Sequence, residues 1–384
     1  MHRFYKVFCA TIVGMGCAVN AASQKQNLSW QMQESGTTAG LRGIDSVDGK
    51  MAWASGTEGT VLRTIDGGEH WQKCAVPDGD KDGATLDFRG VQAWDEKTAI
   101  VMASGPGEKS RLYRTTDGCV SWTELVRNHD KDGFWDGTVK AYLDDGTHML
   151  LLGDPVGGRF YLRRVNIGAG EYSTIPPLRL FAEPGDEEFL KVNGDAGAFA
   201  ASNSSLLIGG TGVTSHKLNL FVAFGTGGSS GAAIYRTQIR PTFEEDFRSS
   251  PWVRIPVPIA GSNASSGIFS LASGSRSSPK TVLKLIAVGG DYAKPSENAG
   301  TAAHSRDGGL TWTPATKLPH GFRSSVAWSE DLKAWITVGT NGSDISRDDG
   351  KTWQSFDDGN WNALSLPFVV GPKGRIGKLA AVGK

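Results

Sequence analysis

Ser346-Arg347-Asp348-Asp349-Gly350-Lys351-Thr352-Trp353 decides how the rest of the chain is read. Its pattern, Ser/Thr-x-Asp-x-Gly-x-x-Trp, returns at residues 64–71 as TIDGGEHW and at 305–312 as SRDGGLTW. A further copy at 115–122, TTDGCVSW, carries Cys119 in the glycine place with Gly118 just before it. Each copy suits a tight turn between two strands. The hydroxyl and carboxylate can bond turn backbone, the glycine supplies a positive φ, and the tryptophan packs the turn down as the next strand opens. Self-similarity of this kind points to a repeat architecture, in which each unit buries its faces against its neighbours.

Around the turns the units can be laid out. Repeat one has short strands near residues 41–44, 51–56 and 60–64, then the turn and 71–74; repeat two copies it at 88–91, 99–105, 111–115 and 122–126. Repeat three runs from Phe134 through 149–153 and 159–165, and its turn has decayed to 166–172. Repeat four is read at 197–207, 218–225, 232–237 and 252–259, with no such turn. Repeat five starts at Gly267 and repeat six at Phe322. A seventh begins at Trp361 and stops one strand short, while residues 28–33 look like an outer strand with no unit of their own, since Trp30-Gln31 matches Trp71-Gln72 and Trp353-Gln354. One closure explains both orphans and leaves fewer exposed sheet edges. The expected fold is all-β: a seven-bladed β-propeller of four-stranded antiparallel blades, its ring closed by the N-terminal strand, with six blades as the alternative count. Residues 23–384 form a single propeller domain.

The first 22 residues read as a signal peptide: Arg3 and Lys6, an apolar run at 7–19, and small residues up to Ala21 and Ala22 for cleavage. A periplasmic or secreted protein is expected, with no membrane span. Without that leader, 38 basic residues face 40 acidic ones, a balance that points to neither nucleic acid nor an acidic membrane surface. The 51 glycines and 12 tryptophans fit many short strands with tight turns rather than helices. Cys74 and Cys119 remain after the leader; in an oxidising compartment they can be bridged, or stand as two separate thiols.

The turns match Asp-box, or BNR, repeats of sialidases and related propellers. The whole mature chain resembles the photosystem II assembly and stability factor group, and within it a set of exported bacterial proteins with segments such as FWDGT, GDPVGGRF, AFAAS, GIFS, VGGDY and GFRS. That resemblance implies the propeller and leaves the chemistry open, because function lives in sites rather than folds.

The turn residues Asp66, Trp71, Asp117, Trp122, Asp307, Trp312, Asp348 and Trp353 are expected to be architectural, since turn geometry accounts for them. Ligand sites of propellers lie where innermost strands of several blades meet at the channel mouth. Arg42, Arg89 and Arg323 hold one place in three repeats, each after Leu or Phe; Asp136 takes that place in repeat three and Asn362 in repeat seven. Asp154, Asp291 and Tyr292 follow glycine-rich strand ends aimed at the same face. Converging guanidiniums would bind a carboxylate or phosphate. Alternatively each arginine pairs with an acid, Asp45, Asp136, Asp154 or Asp291, to lock the blades. The expected function is a binding or assembly scaffold, monomeric, with a protein or anionic small molecule as partner and no cofactor.

Two enzymatic alternatives use the same mouth. The sialidase likeness implies an arginine triad, a tyrosine nucleophile with a glutamate, and an acid/base aspartate, roles open to Arg42, Arg89, Arg323, Tyr292 and Glu183 or Glu187. Against it, the first blade reads Leu41-Arg42-Gly43-Ile44, and the Arg-Ile-Pro motif occurs only at residues 254–256, in an outer strand. Oxidoreductase chemistry finds no dinucleotide fingerprint and no haem or Cys/His metal motif. Calcium is a further possibility at Asp78, Asp80 and Asp82, with a matching loop at Asn128, Asp130 and Asp132. The glutamate such a loop needs at its twelfth position is replaced by Arg89 and Val139.

Overall fold

The computed structural model describes residues 27–143, 146–167, 192, 194–214, 217–239, 252–274 and 283–382. The stretch expected to be a leader, nearly all of the decayed third turn, Glu183 and Glu187 lie outside them. Seven antiparallel sheets form a seven-bladed propeller. Blade 1 is Leu41–Ser46, Ala52–Gly56, Val61–Thr64 and Gln72–Lys73; blade 2 is Phe88–Ala93, Ala99–Ala103, Arg111–Thr115 and Thr123–Arg127. Blade 3 shows three strands among the described residues, Trp135–Leu143, Gly146–Val156 and Arg159–Asn166. Blade 4 is Leu206–Thr214, Lys217–Thr226, Ala233–Ile239 and Val253–Pro256; blade 5 is Ser266–Ser273, Leu285–Asp291, Ala302–Ser305 and Thr313–Pro314. Blade 6 is Ser325–Ser329, Ala334–Gly339, Gly342–Ser346 and Gln354–Asp357. Blade 7 is Ala363–Ser365, Phe368–Val370 and Ile376–Val382, completed by Asn27–Gln33, which pairs Leu28 with Ala381 and Trp30 with Leu379.

The first strand of every blade packs against the first strand of the next, and blade 7 returns to blade 1, so the ring closes on seven and not six. The hydrophobic core is divided accordingly into seven clusters, one per blade interface. Trp53, Phe88, Val101 and Tyr113 fill the seam between blades 1 and 2, for example, and Trp30, Ile336, Val338 and Trp361 that between blades 6 and 7. A middle strand is thus covered on both faces, which is why 99–103 is continuously apolar and 334–339 is so but for Thr337, both buried throughout rather than alternating.

The four recurring turns share one geometry. In the last, Ser346 Oγ donates to Asp348 Oδ1 at 2.9 Å and accepts from the Gly350 amide at 2.9 Å, while Asp348 accepts the amide and hydroxyl of Thr352. The turns at Thr115 and Ser305 repeat these bonds, and the turn at Thr64 does so with the His70 ring Nδ1, 2.7 Å from Asp66, in place of the hydroxyl. Each joins the third and fourth strands of its blade, away from the channel. In the second turn, hydrogen bonds from the Ser121 hydroxyl and amide hold the Asp117 carboxyl down to about 2. A depressed folded value gives a contribution fully present above the unfolded carboxylate pKa near ~4 and lost as pH falls through the folded one. The stability gap between wild type and Asp117→Asn, measured by urea midpoints, is therefore expected to narrow between pH 4 and pH 2. A gap unchanged over that range would show that the turn does not select the carboxylate.

Two strand assignments differ from the sequence expectation. The first strand of blade 4 is Leu206–Thr214, not 197–207. Residues 197–201 instead run along the channel mouth, with Gly197 bridged to Gly227 and the Ala198 amide bonded to Asp154. Four of the five are glycine or alanine, and with Phe199 they imitate a strand in the sequence while allowing backbone to lie across the opening. In blade 6 the strand begins at Ser325 rather than at Phe322. Among the described residues no helix is long and apolar enough to cross a membrane.

Candidate functional site at the channel mouth

A cavity of about 600 Å3 opens where the inner strands meet, and every blade contributes to it. The residues that reach it do so through a shared defect in pairing. The register between first and second strands slips between Leu41 and Gly43, between Phe88 and Gly90, between Trp135 and Gly137, and between Ile268 and Ser270. Each slip leaves one unpaired residue: Arg42, Arg89, Asp136 and Phe269. A β-bulge re-aims its extra side chain, and all four line the cavity. Glycine follows three of the four bulges, and at Gly43 close approach requires it. A Cβ on Gly43 would sit 2.7 Å from Ser55 Oγ and 3.1 Å from the Arg89 carbonyl oxygen of the neighbouring blade.

The charged wall comes from blades 1 to 3. Asp87 lies between two arginines: Arg89 Nε donates to it at 2.8 Å, and Arg42 Nε stands 3.9 Å away on its other oxygen. Arg89 also donates to the Ala200 carbonyl and lies over the Phe134 ring. Arg42 has no hydrogen-bond partner at Nε, and its side chain is 36% exposed. Burial, partly offset by Asp87 and reinforced by Arg89, lowers the Arg42 pKa. Asp136 is 2% exposed, its Oδ2 has no hydrogen-bond partner, and burial together with Asp154 pushes its pKa well up against the pull of Arg89. Burial also raises Asp154, opposed by one hydrogen bond from the Ala198 amide.

The opposite wall is aromatic. Phe199 stacks on Phe269 with centroids 4.0 Å apart, Phe322 meets Phe269 edge-on at 4.7 Å, and Tyr292 does so at 6.0 Å. Tyr292 is 54% exposed at the rim. Asn362 completes the lining from blade 7 and donates to the Leu41 carbonyl at 2.7 Å.

The other singled-out residues are placed elsewhere. Arg323 does not line the cavity: it turns inward, 0% exposed, onto Asp344. The three arginines therefore do not converge, and the triad of the sialidase alternative is not assembled; Arg254-Ile255-Pro256 lies in the outer strand of blade 4. Asp291 accepts from the Ser265 hydroxyl, the Asn263 amide group and the Ala293 amide, and the Ser265 bond leads in holding its pKa down. It buttresses the loop carrying Tyr292 and is not in the lining. Asp45 bonds Lys140, so the acid that answers Arg42 and Arg89 is Asp87, which the register of the repeats did not single out.

The carboxylates considered for calcium point at protein. Arg111 grips Asp82 with both terminal nitrogens, at 2.7 and 2.6 Å, and Asp78 accepts the Tyr113 hydroxyl at 2.8 Å; Asp80 is exposed. A guanidinium already sits where the donor set would hold an ion, so the residues present do not fit calcium. Melting temperature is expected to be the same in excess chelator and in added calcium; a shift would assign the loop to the ion.

No protein-family model matches the chain, and no curated protein is recognisably similar to it. Solved structures do share its seven-bladed architecture. A structure described as YCF48 bound to D1 peptide is 16% identical, covering 93% of this chain and 97% of its own, with a TM-score of 0.50. YCF48 from Cyanidioschyzon merolae is 18% identical over 91% of this chain and 98% of its own, with a TM-score of 0.52. The similarity is one of fold.

Proposed function

We propose that this protein is an exported, non-catalytic propeller that binds a polypeptide segment at the channel mouth and serves as an assembly scaffold. The observation that carries this is the composition of the mouth: a bulged Arg42 with donors to spare facing an aromatic wall that ends in exposed Tyr292. Amphipathic aromatics and arginines are what anchor protein segments at interfaces. The leader-like first 22 residues and the Cys74–Cys119 disulfide support export. That a propeller of the same fold has been solved with a peptide adds support.

Capture from the envelope fraction with wild type and with the Arg42→Ala/Arg89→Ala double variant tests this. Arg323 stays intact, since its loss would disturb the fold. A charge-assisted hydrogen bond is worth about 1.5–3 kcal/mol, so roughly tenfold or greater loss of partner is expected per contact removed. Partners retained at wild-type levels by a folded double variant would overturn the proposal.

A further inference from the structure

The mouth carries an imbalance of charge that the arginines do not resolve. Arg42 and Arg89 already share Asp87, and Asp136, Asp154 and Asp195 line the same cavity. With every group ionised, four carboxylates face two guanidiniums. Asp195 is satisfied by Ser229 and Ser230 at the rim. Asp136 is not: it is almost fully buried, held at its bulge in the lining, with Oδ2 unpartnered. A buried polar atom without a partner costs about 1–3 kcal/mol, and a site that keeps one at a cavity wall is complementary to a donor from outside. Asp154 offers a second carboxyl beside it, and Phe134, Phe199, Phe269 and Tyr292 supply ring faces around the same space.

Two neighbouring acids within an aromatic lining favour a protonated amine. The ammonium satisfies both carboxyls with its three donors and its charge is welcome over ring faces. An anion would meet Asp136 and Asp154 unfavourably, and a purely apolar group would leave Oδ2 bare. We infer that the anchoring residue of the bound segment is a lysine, whose ammonium enters between Asp136 and Asp154 while an acidic group of the same segment meets Arg42. This rests on the channel mouth being the polypeptide site and names the chemistry of its anchor. Burial raises the Asp136 pKa, and an ammonium beside it would oppose that shift.

The probe is Nα-acetyl-lysine amide, compared with its Nε-acetylated form, by calorimetric titration of the full protein. The charged probe is expected to bind at least tenfold more tightly than the acetylated one. Asp136→Asn and Asp154→Asn, both near-isosteric, are each expected to weaken it at least tenfold, whereas Lys97→Ala, exposed in the turn between the first two strands of blade 2 and outside the cavity lining, leaves it unchanged. Equal binding of the two probes, or full binding by a folded Asp136→Asn protein, would overturn the assignment. Those outcomes are separate from the arginine test, in which partner capture can be lost while the lysine probe still binds.

Discussion

Asp344→Ala is expected to lower the free energy of unfolding by about 3–5 kcal/mol, the cost of leaving a buried charge without its partner. Arg323 is 0% exposed and Asp344 1%. The guanidinium donates to Asp344 Oδ2 from Nε at 2.7 Å and again from Nη2, while Nη1 reaches the Phe322 carbonyl and Asn341 Oδ1, each at 2.6 Å. Burial lowers the Arg323 pKa, and Asp344 is what opposes that. Removing Asp344 keeps the desolvation and discards the compensation. Because the pair ties the entry of blade 6 to its third strand, the loss falls on a whole blade rather than on a surface contact. The effect belongs to the unpaired charge, so an Arg323→Met/Asp344→Leu double variant is expected to be more stable than either single change. Urea unfolding of wild type, Asp344→Ala, the two single changes and the double variant measures this. A loss under about 1 kcal/mol for Asp344→Ala would mean that water or a rearranged carbonyl replaces the carboxylate.

The contrast between Arg323 and its two counterparts shows what the sequence could and could not disclose. The blades were legible because their turns rest on local chemistry: a hydroxyl, a carboxylate and a residue at positive φ, all within eight positions. Arg42, Arg89 and Arg323 follow Leu or Phe alike, so register alone made them equivalent. Glycine follows Arg42, Arg89 and Asp136, whereas Ser324 follows Arg323. At Gly43 a Cβ would sit 3.1 Å from the Arg89 carbonyl of the adjacent blade, and of the four charged positions only the three followed by glycine bulge. That signal was on the page of the sequence. The fourth bulge, Phe269, was hidden because an apolar residue in an apolar strand reads as core, and it is 3% exposed even while lining the mouth. Asp87 was hidden for a different reason: nothing in a repeat register tells which of several acids a long guanidinium will reach. Residues 197–201 misled because glycine and alanine around one phenylalanine suit both a strand and a backbone laid across an opening.

Reducing the Cys74–Cys119 disulfide is expected to cost about 4 kcal/mol in the chain-entropy account, given the 45 residues it spans. The bridge joins the edge of blade 1 to the turn of blade 2, with Cα atoms 5.3 Å apart, and the Ala75 amide and Cys119 carbonyl bond beside it. Its position also explains the one departure among the four turns. The residue whose amide meets the turn hydroxyl has φ of 86° at Gly68, 88° at Gly309 and 79° at Gly350, and 68° at Cys119. A side chain there costs about 1–2 kcal/mol that glycine avoids. The chain accepts that cost only where the side chain closes a covalent loop. Two variants separate the opposing effects: Cys74→Ser/Cys119→Ser loses the bridge and keeps the backbone penalty, whereas Cys74→Ser/Cys119→Gly loses the bridge and regains the residue used by the other turns. The glycine variant is expected to be the more stable by about 1 kcal/mol, with both below the oxidised wild type, in urea unfolding with and without reductant. If serine and glycine prove equal, the turn's left-handed conformation is not what restricts that position. If reductant leaves the wild-type midpoint unmoved, seven closed interfaces hold blades 1 and 2 together without the bridge, and its contribution lies in the rate of unfolding rather than in its equilibrium.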